Sequence, residues 1–235
     1  MPTYNTSVSI QDTDGNSSAT VALTAGAGSR RFLEVYVPVS AGTIAAHSGV
    51  TWGGVALTQR GSAVDNGANG RMTHWYLPEA DFPGGATGNA VATCAASQDT
   101  IGVFAIISND VNQATPFENA SQTTATGVDN SASLTVTSTA TALITNAVCG
   151  VNGSSEDIGI NVGTGTSRQE LETAADFVTF ALSTVAGASP SVAPSWTFTM
   201  SGGDTMSTCG MIGDALKDDP GGGGGGNPWY YYAQQ

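Results

Sequence analysis

The stretch that decides the fold reads Gly49-Val50-Thr51-Trp52-Gly53-Gly54-Val55-Ala56-Leu57-Thr58-Gln59-Arg60 and, after a polar gap, Arg71-Met72-Thr73-His74-Trp75-Tyr76-Leu77. Val50 and Trp52 alternate with Thr51, and Val55 and Leu57 with Ala56 and Thr58. A period of two is that of a strand with one buried face. Gly53-Gly54 falls between the two runs, where a two-residue hairpin turn needs positive φ. A loop is expected over residues 62–70, followed by a strand placing Met72, His74 and Tyr76 on one side and Thr73, Trp75 and Leu77 on the other. Each Trp or Tyr there can bury roughly 150–250 Å². This region reads as the centre of a β-sandwich.

Working outward, strand-like runs recur between turn signals. They fall at residues 6–10, 19–24, 31–37, 89–96, 100–107, 133–137, 142–151, 196–200 and 207–216. About a dozen short strands with regular turns are the signature of an all-β sandwich or barrel. Pro38 is expected to end the strand over residues 31–37 or to place it near an edge. Residues 101–107 are nearly continuous in apolar character, which predicts a central strand. Residues 78–83 read as a connector with one helical turn. Residues 108–131 read as loop anchored by Pro116-Phe117, and residues 133–137 and 142–151 as a strand pair. A long glycine-rich loop is expected over residues 152–167. Ser167-Arg168-Gln169-Glu170 fits a capping box, and Leu171, Ala174, Ala175, Val178 and Leu182 follow helical spacing. Phe177-Val178-Thr179-Phe180 is β-prone and favours a strand from Phe177 onward. No internal repeat is evident.

Composition fits that class. The 235 residues are 40% hydrophobic, enough for one large β domain or two small ones, and include 31 glycines. Only 11% are charged, against about 25% in average soluble domains. Six basic and 19 acidic residues give a net charge of −13. So few cations leave little with which to neutralise phosphates, so neither a nucleic-acid partner nor an anionic membrane surface is expected. Cys94, Cys149 and Cys209 lie singly inside apolar runs without a C-x-x-C spacing, and are expected to be buried free thiols rather than zinc ligands. The N-terminal residues predict neither a signal peptide nor a transmembrane helix.

For chemistry near neutral pH the chain offers His47 and His74. His74 sits in strand alternation and reads as structural; His47 reads as a loop residue. No nucleophile elbow, His-Glu-x-x-His pair or phosphate-binding glycine loop occurs. Acid pairs occur at Glu156-Asp157, Asp218-Asp219 and Glu170 with Glu172, without surroundings that resemble a sugar cleft. Asp12-x-Asp14-Gly15-Asn16 fits an Asx turn better than a calcium loop, which would need a closing Glu where Leu23 stands. The expectation is a non-enzymatic protein with no cofactor and no metal.

Lys217-Asp218-Asp219-Pro220 leads into six glycines at residues 221–226, then Asn227-Pro228-Trp229-Tyr230-Tyr231-Tyr232-Ala233-Gln234-Gln235. Polyglycine is a flexible tether. Clustered aromatics normally mark a docking peptide. The expected organisation is a sandwich domain over residues 1–217 and an extended arm over residues 218–235, with Pro228, Trp229, Tyr230, Tyr231 and Tyr232 as partner-binding residues.

Four pieces carry a resemblance: Ser29-Arg30-Arg31-Phe32-Leu33-Glu34-Val35, Val50-Thr51-Trp52-Gly53-Gly54-Val55-Ala56-Leu57, Trp75-Tyr76-Leu77, and Ile101-Gly102-Val103-Phe104-Ala105 followed by Pro116-Phe117. Together they resemble β-sandwich proteins of tailed-bacteriophage particles. Similar strings occur in phage-fibre sandwich domains and carbohydrate-binding modules. The resemblance implies an antiparallel, jelly-roll-like β-sandwich without a catalytic site. It implies a virion protein on the capsid exterior, made in the bacterial host cytoplasm. Its expected partners are the major capsid protein or neighbouring virion subunits, with homo-oligomers on the particle. The alternative expectation is a sugar-binding module of a fibre or spike, stacking glycans on the terminal aromatics or on Trp52 and Trp75.

Overall fold

A computed structural model describes residues 1–67, 69–127, 130–151, 158–173, 178–200 and 208–219. The chain is all-β and antiparallel, as its alternation predicts. The first half holds β1 (Thr3–Asp12), β2 (Ser18–Thr24), β3 (Phe32–Ser40), β4 (His47–Trp52), β5 (Val55–Ala56), β6 (Thr58–Asn66), β7 (Gly70–Pro78), β8 (Thr87–Cys94) and β9 (Thr100–Asn109). They form one sheet in the order β1-β9-β3-β7-β6 and a second in the order β2-β8-β4-β5. With β6 set aside as an added edge strand, this is the strand order of an eight-stranded jelly roll. Gly53 and Gly54 turn β4 into β5 at φ 55° and 84°, the positive pair such a hairpin requires.

The second half holds β10 (Thr123–Gly127), β11 (Ser131–Ser133), β12 (Val136–Thr137), β13 (Leu143–Val151), β14 (Ile158–Thr164), β15 (Thr166–Thr173), β16 (Val178–Ala186), β17 (Ser191–Val192), β18 (Ser195–Met200) and β19 (Thr208–Leu216). Its sheets run β10-β19-β13-β16-β15 and β11-β18-β14, with β12 and β17 paired as a short ribbon. Among the described strands this repeats the first half, apart from β5, which has no counterpart, and the β12–β17 ribbon. The registers repeat too: β3 pairs with β7 from Phe32↔Pro78 to Ser40↔Gly70, and β13 pairs with β16 from Leu143↔Ala186 to Val151↔Val178. The internal repeat that the sequence hides is therefore structural, a tandem of two jelly rolls.

Each roll closes its own core. Leu33, Val35, Val37, Trp52, Trp75 and Val103 fill the first; Ile144, Val148, Trp196, Phe198 and Met211 fill the second. The two five-stranded sheets then pack face to face through Tyr36, Met72, Phe104, Cys149, Phe180 and Ile212. A smaller cluster of Phe32, Leu143, Leu216 and Phe117 closes one end. The order of layers is outer, inner, inner, outer. The seam has approximate two-fold symmetry, because β1 lies beside β15 and its counterpart β10 lies beside β6. Across the first contact Ser9 donates to Gln169 Oε1 at 2.8 Å, and Arg168 stacks on the Tyr4 ring at 3.9 Å. Across the second, Gln122 donates to the Ser62 carbonyl.

Several expectations are corrected. Pro38 does not end its strand; β3 runs on to Ser40 as a central strand. The proline is tolerated because the β3–β9 ladder skips Val37 and Pro38, and Gly102 lies against the ring. The expected loop over residues 62–70 is mostly β6, which passes a bulge between Arg60 and Val64. Residues 108–131 include β10, although Phe117 is the predicted anchor. The expected pair of residues 133–137 with 142–151 does not form; β12 pairs with β17, and β13 with β16 and β19. The glycine-rich loop over residues 152–167 contains β14, and the capping-box segment is β15. Pairing with β16 and packing beside β1 override a weak local helix signal there. The β-prone run after Phe177 is strand, as read.

Candidate functional site

The most unusual chemistry lies inside the seam. Alternation along β3 turns Glu34 and Tyr36 away from the first core, and alternation along β7 does the same for His74. From the opposite roll, β19 brings Asp214 and β13 brings Thr145 into the same layer. Glu34, Tyr36, His74 and Thr145 are completely buried and Asp214 is 1% exposed. His74 sits between the carboxylates, with Nε2 3.1 Å from Glu34 Oε1 and Nδ1 3.2 Å from Asp214 Oδ2. The Tyr36 ring stacks on the imidazole, centroids 4.3 Å apart and planes 7° apart. Tyr36 donates to Thr145 Oγ1 at 2.9 Å, and Thr145 donates to Glu34 Oε1 at 2.8 Å.

Arg60 completes the cluster from β6. It forks onto Asp214 with Nη2–Oδ1 3.0 Å and Nε–Oδ2 3.3 Å, and donates to the carbonyls of Asn119 and Ala120. Its guanidinium lies 4.1 Å from the Phe117 ring centroid. The planar fork and the aromatic face suit arginine and would not suit lysine.

Burial pushes the His74 pKa down, but Asp214 and Glu34 outweigh it and raise it above the ordinary value. With His74 an imidazolium, two cations balance two carboxylates. Burial, then Glu34 and Asp214, push the Tyr36 phenol well up, so it stays protonated. The carboxylates lie at opposite nitrogens of one ring rather than converging on a point. No group of three metal-ligating side chains is found among the described residues. Buried between the inner sheets, the cluster joins the two rolls.

His47 lies elsewhere and is corrected from loop to strand, at the start of β4. Trp75 donates to Thr73 Oγ1 at 2.8 Å, and that hydroxyl is hydrogen-bonded to His47 Nδ1 at 2.7 Å. His47 is neutral near pH 7, as its lowered pKa requires. Burial and the charge of Arg71 lower its pKa to about 4.

The other sequence candidates are dispersed. Asp12 makes the expected Asx turn, accepting from the Asp14 amide at 3.1 Å and from Asn16 at 3.0 Å. Asp218 receives the N-terminal ammonium and Asp219 lies 3.7 Å from Arg30. Glu170 stands exposed on β15. Glu156, Asp157 and the side chain of Glu172 lie outside the described residues. So do Pro228, Trp229, Tyr230, Tyr231 and Tyr232, with the whole arm from Pro220 onward. The cysteines are buried free thiols, with burial raising Cys94 to about 11 and Cys149 to about 12. Trp52 is fully buried and Trp75 is 8% exposed, which removes both as stacking platforms for a sugar. A hollow of about 350 Å³ over β6 and β10 is lined by small and polar groups including Ser62, Asp65, Gln122 and Thr124.

Sequence reasoning passed over Glu34, Arg60, Thr145 and Asp214. The available signal was a single acid inside an apolar strand, twice: Phe32-Leu33-Glu34-Val35-Tyr36 and Met211-Ile212-Gly213-Asp214-Ala215. Such an acid needs a buried partner. Comparison with known protein families, with characterised proteins and with solved structures finds no match for this chain.

Proposed function

We propose that this chain is a structural protein of a tailed-bacteriophage particle, decorating or cementing the capsid exterior. The observation that carries the reading is the pair of jelly rolls locked inner sheet to inner sheet, which leaves two uncharged outer sheets. Among the described strands, β2, β4, β5 and β8 on one side and β11, β14 and β18 on the other contain no Asp, Glu, Lys or Arg. Their outward positions are small: Thr20, Thr51, Val91 and Thr93 on one face, Ser131, Asn161, Thr197 and Thr199 on the other. Interface cores are depleted of charge, because each charge must be desolvated on contact. A chain with a net charge of −13 thus keeps its charge off two broad faces. The jelly roll itself recurs in viral capsid and lectin domains, a fold-level analogy that raises the reading without carrying it.

In this reading the polyglycine tether and Pro228, Trp229, Tyr230, Tyr231 and Tyr232 form the anchor on a capsid subunit or a neighbouring copy. Ordering the tether costs roughly 1–2 kcal/mol per residue, which the aromatic anchor must offset. The test is cosedimentation with purified particles of the full chain and of a form ending at Asp219. Full-length chain is expected in the pellet in many copies per particle, and the shortened, folded chain in the supernatant. Equal decoration by both forms removes the arm from the proposal; no decoration by either removes the virion role.

A further inference from the structure

We propose that Glu34, His74, Asp214 and Arg60 form a pH-sensitive lock between the two jelly rolls, closed while His74 is an imidazolium and loosened when it gives up its proton. The geometry argues it in three steps. The cluster spans the seam, with Glu34, Arg60 and His74 from one roll and Asp214 from the other, so its charge balance bears on how the rolls dock. Its histidine and both acids are buried: a charge left over on them is not solvated by water. It also holds His74 between carboxylates on both sides. Neither His74 nitrogen makes an aligned hydrogen bond among the described residues, although each lies within 3.2 Å of a carboxylate oxygen.

The strands packed around His74 supply the whole balance. β3 supplies Glu34 and the Tyr36 phenol, β6 supplies Arg60, and β19 supplies Asp214; β13 adds the uncharged Thr145, and the segment before β10 adds the Phe117 ring, 5.9 Å from the imidazole. Loss of the His74 proton leaves two carboxylates facing one guanidinium. The lock is also built once. Aligning the rolls strand for strand places Leu182 at the position of His74, Ile106 at that of Asp214 and Gln169 at that of Arg60. The equivalent positions on the other side of the seam are thus apolar or neutral; the cation there, Arg168, lies on the Tyr4 ring beside no histidine.

The sign follows from linkage. His74 has a raised pKa in the closed seam and the ordinary value near 6.5 once the seam opens. The closed form therefore binds more protons between those values, and the opening equilibrium rises with pH by up to tenfold per unit across that window. Below about pH 6.5 the contribution is fully present.

The three cysteines report where opening occurs, since Cys149 lines the seam while Cys94 and Cys209 line the separate cores. The experiment is native-state alkylation of the full chain from pH 6 to 9, each rate normalised to an unfolded-chain reference at the same pH. It is run on wild type and His74→Gln, alongside the NMR titration of the His74 ring proton. In the wild type, protection of Cys149 is expected to fall as the ring proton titrates, with Cys94 and Cys209 unchanged; in His74→Gln the Cys149 profile is flat. Should the variant not fold, the wild-type labelling profile and ring titration decide alone. Cys149 protection that parallels Cys94 and Cys209 at every pH, or that ignores the His74 titration, overturns the proposal.

Discussion

Thr145 Oγ1 donates to Glu34 Oε1 at 2.8 Å across the seam, and these two residues occupy the same position in the two jelly rolls. A residue that touches its own counterpart marks where the approximate two-fold axis passes. The seam therefore has the character of an isologous interface, although one chain supplies both sides. At its axis the chain departs from symmetry, with a carboxylate on one side and a hydroxyl on the other, so that one can donate to the other.

Replacing Thr145 by Val tests that contact. Tyr36 and Glu34 would be left with each other at 3.4 Å, both fully buried. An orphaned buried polar group costs about 1–3 kcal/mol. Urea unfolding of Thr145→Val should show an unfolding free energy lower by that amount, seen as a lower midpoint with an unchanged m-value. Thr145→Ser should recover most of the loss.

Gly102 on β9 is a place where the opposite roll packs closely against backbone. A Cβ there would lie 2.8 Å from Phe180 of the opposite roll, 2.9 Å from Pro38 and 3.2 Å from Phe104. All three neighbours are rings with little freedom to move aside. Overpacking of this kind costs typically 1–3 kcal/mol. Gly102→Ala should lower the thermal midpoint by several degrees, whereas Gly54→Ala, with nothing within 4 Å, is penalised through its positive φ alone.

The strands legible in the sequence were of two kinds, those with one wet face and continuous apolar runs buried on both, such as residues 101–107. Val50 to Leu57 and Trp196 to Met200 alternate cleanly because they belong to outer sheets. The stretches misread are those whose pairing or packing partner is non-local. Pro38 sits in a fully buried strand whose tolerance depends on Gly102, more than sixty residues away. Residues 166–173 carry a helix signal that only the neighbouring β1 and β16 overrule. The duplication escapes sequence because it survives in topology and register while its positions diverge chemically, His74 facing one way and Leu182 the other. Period-two alternation does put Glu34, Tyr36 and His74 on seam-facing positions, but nothing local says that a second roll, carrying Asp214, covers them.

His47 makes stability acid-sensitive, opposite in sign to His74. Its pKa falls from 6.5 in the unfolded chain to about 4 in the fold, so the unfolded state binds more protons between those values. Stability from this group is complete above about pH 6.5, declines as pH falls to 4, and is constant below. Partial exposure of the ring discounts the effect to roughly 1–2 kcal/mol. The difference in unfolding free energy between wild type and His47→Gln should change by that amount from pH 7 to pH 4; parallel profiles would falsify the assignment of a neutral His47.

Trp196 and Asn146 form the buried polar pair of the second core. The indole donates to Asn146 Oδ1 at 2.9 Å, and Asn146 Nδ2 donates to Ser183 Oγ at 2.8 Å. Trp196→Phe removes volume and leaves Oδ1 without its donor, at roughly 2–4 kcal/mol in sum. The first roll indicates a remedy, since the counterpart of Asn146 there is Val35, packed in a wholly apolar site. Adding Asn146→Val to Trp196→Phe removes the orphaned acceptor together with its lost partner. The double variant should be more stable than the sum of the two single losses predicts, by about 1 kcal/mol or more. Strict additivity in a urea double-mutant cycle would show that the indole contributes through its volume and that its hydrogen bond adds nothing measurable.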